Sequence, residues 1–159
     1  MDEIETLVNT LNDLWPLLVA IGCGGLIGLE RETRGKPAGI RTNMLICLGA
    51  AAYVQLGTLL VSAQGDPTRV LGQVIVGIGF LGAGSIIIHG AQVTGLTTAA
   101  TIWVSAAVGS ALGLGYYMRG IAWTILCVFV LQGIGYIEKK IWNGHNGRNG
   151  HGPNGYTRS

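Results

Sequence analysis

The sequence predicts an all-α membrane protein of five transmembrane helices, with the N-terminus outside and the C-terminus in the cytoplasm. Three observations predict it. Hydrophobic residues make up 49% and charged residues 11% of 159 positions, whereas a soluble domain carries about 25% charge. Five apolar stretches approach the roughly 20 residues a spanning helix needs. Lysine and arginine gather in alternate loops, as the positive-inside rule requires. The length suits one domain.

Residues 1–13 read as an amphipathic helix at the membrane interface. Ile4, Leu7, Val8, Leu11, Leu14 and Trp15 recur at helical i, i+3, i+4 spacing. The acidic start is unlike the basic head of a secretory signal. Asp13 is placed to cap the first span, with Pro16 in its first turn, where a missing N–H costs little. The spans are expected at 14–29, 42–61, 70–89, 96–117 and 120–136, within a membrane domain covering 14–142. Residues 143–159 are Asn/Gly-rich, lack apolar periodicity and are expected to be disordered. His145 and His151 in that tail read as solvated residues, not metal ligands.

Orientation follows from charge. With the N-terminus outside, the cytoplasmic side collects eight Lys and Arg and the outside two. Trp15, Tyr116 and Tyr117 fall at outer ends, Tyr136 and Trp142 at the inner end, as an aromatic belt would place them. Cys23, Cys47 and Cys127 each lie in a different apolar stretch, so they read as small packing residues rather than a disulfide framework. The net charge of +2 is too small to suggest nucleic acid.

Glycine is heavily used, at 27 positions. Gly77, Gly79 and Gly82 satisfy GxGxxG, but a dinucleotide site needs a preceding strand and a soluble βαβ unit. Here the flanks are apolar runs of membrane length. Close helix packing is the better reading, since small residues let backbones approach in lipid. On that basis Gly24, Gly28, Gly77, Gly79, Gly82 and Gly84 are assigned to helix packing, along with Ala106 and Ser110. The same seams would also suit a homo-oligomer.

The stretch GLERETRGKPAGIRTN, residues 28–43, crowds six charged residues between two runs with almost none. Setting orientation accounts for its arginines. It leaves Glu30 and Glu32 unexplained. An offset of 56 residues matches Gly28, Gly39, Thr42, Ile46, Ala50 and Ala51 with identical residues, and AGIRT aligns with TGLTT. Two helical hairpins related by an axis along the membrane normal would give that pattern. Thr42 and Thr98 would then open two spans on the cytoplasmic side, behind Gly39 and Gly95, with their partial positive ends converging. Arg41 stands where the second hairpin has Thr97, and Glu30 is its expected ion-pair partner. The candidate functional residues are therefore Glu30, Arg31, Gly39, Arg41, Thr42, Asn43, Gly95, Thr97 and Thr98.

GGLIGLERETRGKPAGIRTNMLICLGAA and VIVGIGFLGAGSIIIHGAQVTGLTTAATIWVSAAVGSALGLG together resemble the MgtC/SapB family of bacterial inner-membrane proteins over residues 18–117. Gly28, Glu30, Arg31, Ala38, Gly39, Arg41, Thr42 and Asn43 carry the first block. Gly77, Gly79, Phe80, Gly82, Ala83, Gly84, Gly95, Thr98 and Ala99 carry the second. The resemblance implies a five-span domain and a link to growth under magnesium limitation and, in some pathogens, to survival in host cells. Many members carry a soluble C-terminal domain after the fifth span. Here the expectation is the membrane domain alone.

Three functional classes remain to be weighed. A cation carrier normally marks its path with ionisable residues inside the spans, and Mg²⁺ favours carboxylate and water oxygens. Glu30 is the one carboxylate placed for that. An enzyme is not expected, because no nucleophile–base pattern occurs. A regulator or interaction partner of another membrane protein, or a homo-oligomer, fits the small-residue seams. The basic first loop suits anionic lipid headgroups. No cofactor is implied.

Overall fold

The computed structural model describes residues 2–60, 66 and 68–134. Five α-helices follow in order: α1 (Asp2–Thr33), α2 (Ile40–Leu60), α3 (Thr68–Gly84), α4 (Leu96–Gly113) and α5 (Tyr117–Phe129). A two-stranded hairpin, β1 (Ile87–His89) and β2 (Gln92–Thr94), separates α3 from α4. A π-helical turn over Val130–Ile134 extends α5. The expected tail at 143–159 and the end of the fifth span lie outside the described residues.

The helix α1 is longer than expected. It runs unbroken through residues 13 and 14, so no separate interfacial helix is set off. Its 32 residues extend roughly 48 Å, more than a ~30 Å hydrocarbon core requires. Pro16 therefore sits in a helix interior rather than in a first turn. A proline there removes the N–H that would bond to the Asn12 carbonyl, four residues back. Gln55 on α2 donates Nε2–H to the adjacent Asp13 carbonyl at 2.8 Å and ties this turn of α1 to the neighbouring helix.

Schellman-type turns end both α1 and α4. Lys36 N–H bonds to Arg31 O and Gly35 N–H to Glu32 O. Tyr116 N–H bonds to Ala111 O and Gly115 N–H to Leu112 O. The reversal needs a left-handed residue, and Gly35 (φ 61°) and Gly115 (φ 79°) supply it without a Cβ clash.

The third span is shorter than 70–89. α3 stops at Gly84, where Ser85 turns its hydroxyl back to Gly82 O at 2.7 Å. Three consecutive isoleucines follow, and β-branched residues favour extended backbone. Ile87, Ile88 and His89 pair with Thr94, Val93 and Gln92 across Gly90–Ala91. The protein is thus mostly helical, not all-α. Leu11–Thr33, Ile40–Leu60 and Leu96–Gly113 are long and apolar enough to cross a membrane, while Thr68–Gly84 and Tyr117–Gly133 are shorter apolar helices.

Small residues hold the bundle together. Gly24 and Gly28 of α1 sit against the first turns of α2, where a Cβ on Gly24 would stand 2.5 Å from Asn43 O. Gly109 and Gly113 of α4 meet the α2 backbone at Cys47 and Ala51. Ala20, Cys23 and Ile27 close a core with Cys47, Ala51, Val108 and Leu112. A second core joins Ile46 and Ala50 to Ile102 and Ala106, with Val74 and Ile78 of α3 packed on it. Asn43, Cys47 and Ala51 meet Ser105, Gly109 and Gly113 in the same order, so α2 and α4 run in the same direction. The turn at 34–39 and the hairpin at 85–95 consequently lie at one end of the bundle.

Candidate functional site

At that end, the last turn of α1 carries the buried charge. Glu30 is 3% and Arg31 4% exposed. Arg34, one turn on, brings Nε to 2.7 Å from Glu30 Oε1, and Arg31 Nη1 lies 3.6 Å from Oε2. Neither approach has hydrogen-bond alignment, so proximity of charge holds the cluster. Arg31 Nε also has no hydrogen-bond partner among the described residues. The expected Glu30–Arg41 pair is not formed. Arg41 is exposed on the first turn of α2 and makes no ion pair among the described residues. The i, i+4 neighbour wins because Arg34 follows directly on the last residue of α1, one turn beyond Glu30.

Glu32 has a different task. Its Oε2 accepts the N–H of Ile40 at 2.9 Å, placing a carboxylate at the N-terminus of α2. Charge and helix dipole favour that position. Gly39 gives the carboxylate room, because a Cβ there would stand 2.6 Å from Glu32 Oε2. Thr42 is exposed, in the first turn of α2.

Asn43 ties the turn to the core. Its Nδ2 donates to the carbonyls of Ala38 and Gly39, and its Oδ1 accepts from Ser105 Oγ on α4 at 2.7 Å. Cys47 Sγ donates to Ser105 O at 3.0 Å. Ala38, the one non-glycine with positive φ among the described residues, is held at 57° where its carbonyl meets that amide.

The second bend is built otherwise. Gly95 begins α4 in a left-handed conformation without a side-chain cap. Its Cα packs so closely on Ser85 that a Cβ would collide with the Ser85 carbonyl. Thr98 is buried, Thr97 is exposed, and the Thr97 carbonyl accepts from Thr101 Oγ1 at 2.7 Å. The two bends share an end but not a level. α2 and α4 pack with an offset of 62 residues, not the 56 that aligns the sequences. Thr98 therefore lies about six residues, roughly 9 Å, nearer the N-terminal end of this parallel pair than Thr42.

The glycines divide. Gly24 and Gly28 are in tight contact, and Gly82 makes ordinary contact with Ala99 of α4. Gly77, Gly79 and Gly84 face open space on α3. The GIGFLGAG segment is helical from end to end, which removes the strand–turn–helix a dinucleotide motif needs. Ser105, Arg34 and Gly109 were not singled out from the sequence, and Glu32 stood out only as a charge that orientation leaves unexplained. Only Arg34 (i+4 from Glu30) and Gly109 (four before Gly113) leave a local signal.

Among the described residues, no group of three or more His, Cys, Asp or Glu gathers as metal ligands do. Apolar helices packed through glycine, with a buried charge cluster at one end, define a multi-pass membrane protein. The MgtC family model matches residues 17–140, and the chain belongs to that family. It is 42% identical over 128 residues to the "Putative magnesium transporter YhiD" of Escherichia coli K12, covering 73% of this chain and 57% of that protein. It is 50% identical over 107 residues to "Protein MgtC" of Brucella abortus, covering 67% and 44%. It is 46% identical over 117 residues to "Protein MgtC" of Salmonella typhimurium, covering 72% and 50%. The chain thus spans about half the length of these curated relatives. No solved structure matches it.

Proposed function

We propose that this magnesium-related membrane protein acts as a regulator or interaction partner of another membrane protein during adaptation to low magnesium, rather than as the carrier itself. One observation carries the reading. Glu30, the buried carboxylate, already stands between Arg31 and Arg34. A site with one negative and two positive groups repels a dication and favours an acidic group. Arg31 Nε, buried without an acceptor, supports the same direction, because an incoming acceptor would satisfy it. The open glycine face of α3 suits a partner helix or a second copy of this chain.

In this reading the five helices span with the N-terminus outside and the C-terminus in the cytoplasm, and the two hairpins are parallel repeats. The turn at 34–39 then faces anionic headgroups, with Arg34, Lys36 and Arg41 exposed. The name of the Escherichia coli relative favours direct magnesium transport as the second reading. Flux into proteoliposomes separates the two. The purified chain is expected to give no saturable Mg²⁺ uptake, and uptake abolished by Glu30→Gln would reverse the proposal. Cysteine labelling of the 34–39 turn from each side of the membrane tests the orientation.

A further inference from the structure

At the opposite end of the bundle, an apolar groove of about 270 Å³ lies between α3 and α5 over the face of α4. Leu71 and Ile78 form one wall, Trp123 the other, and Ala107 lies on the floor. Along α4 the lining runs from Trp103 to Leu114, about 16 Å, or about half of the ~30 Å hydrocarbon thickness. The groove is therefore one leaflet deep. Its lining reaches the α4–α5 turn, where Arg119 stacks its guanidinium over the Tyr116 ring, 4.6 Å from the centroid. Arg69 opens α3 at that same end. The acid beside it, Asp66, accepts from Thr68 N–H and Oγ1–H at 2.9 and 2.7 Å.

We infer that this groove holds one acyl chain of an anionic phospholipid, with the phosphate paired to Arg119. An apolar trough open to the bilayer takes a chain, and its depth fits a lipid of a single leaflet. A cation at the headgroup level, stacked on an aromatic ring, selects charge. In the orientation proposed above, that leaflet is the outer one. The site lies at the far end from the Glu30 cluster and does not depend on its role.

Native mass spectrometry of the full chain in detergent tests the assignment, using phosphatidylglycerol and phosphatidylcholine with identical acyl chains. One phosphatidylglycerol is expected to be retained per chain in preference to phosphatidylcholine. Arg119→Gln, an exposed change that leaves the fold intact, should lower that preference about fivefold. Ala107→Leu, which fills the floor, should reduce retention of both lipids. Equal retention of the two lipids by the unaltered chain would overturn the inference. So would an unchanged preference in Arg119→Gln. A disulfide formed between two copies carrying Ala107→Cys would also overturn it, because a neighbouring helix would then occupy the groove.

Discussion

Ser105 on α4 donates its hydroxyl hydrogen to Asn43 Oδ1 on α2 at 2.7 Å, with both side chains fully buried. The same amide holds two carbonyls of the 34–39 turn, so one side chain couples that turn to the central helix pair. Ser105→Ala leaves a buried acceptor without a donor and is expected to cost about 1–2 kcal/mol. Asn43→Ala also takes the side-chain donor from the Ala38 carbonyl, while Gly39 O keeps the backbone N–H of residue 43, and should cost roughly 2–4 kcal/mol. In a double-mutant cycle read by detergent unfolding, adding Ser105→Ala to Asn43→Ala should cost almost nothing further. Strict additivity would mean the two side chains do not act through each other.

The glycines separate into two groups that a methyl group can distinguish. Gly24→Ala and Gly109→Ala drive a Cβ into α2 backbone, and each should lower stability by about 1–3 kcal/mol. Gly77→Ala and Gly79→Ala meet open space and should leave the monomer unchanged or raise its stability by up to about 1 kcal/mol through helix propensity. Unfolding midpoints of the four variants in one detergent check this. Equal losses in all four would mean that the exposed α3 face is packed in solution.

Much of the bundle is legible in the sequence, because hydropathy reports helix existence in lipid more reliably than helix ends. The matches at Gly39/Gly95 and Thr42/Thr98 drew attention to two bends that lie at one end. Three features escaped that reading for physical reasons. Ile86–Ile88 is as apolar as any span, so hydropathy could not separate a strand from a helix end; β-branching was the clue. Glu32 reaches Ile40 across a turn, and no local spacing encodes that cap. The axial stagger of the bends follows from the contacts of Gly109 and Gly113 with α2, and sequence alignment carries no information about packing register.

The cap at α2 makes Gly39 and Glu32 one functional unit. Glu32→Ala removes the acceptor of Ile40 N–H and should cost about 1 kcal/mol, the usual value of an N-terminal cap. Gly39→Ala places a methyl group against Glu32 Oε2 and should displace the same carboxylate. The double variant is expected to lose no more than the larger single loss. Thr42→Val, at an exposed position, should be neutral within about 0.5 kcal/mol. Amide hydrogen exchange at Ile40 reports the loss directly.

The Glu30 cluster yields the sharpest contrast between neighbouring arginines. Glu30→Gln strands Arg31, which is 4% exposed, without its counter-charge, and breaking a buried pair in that way costs roughly 3–5 kcal/mol. Arg34→Gln should cost less, because the Arg34 side chain is 35% exposed and water screens its contribution. Arg41→Gln should leave stability unchanged, since Arg41 is exposed and has no ion-pair partner among the described residues. Replacing both charges, as Glu30→Gln with Arg31→Met, removes the stranded cation and should recover part of the loss. Thermal unfolding in detergent ranks the four variants. Arg41→Gln falling as far as Glu30→Gln would place the counter-charge across the turn instead of along α1.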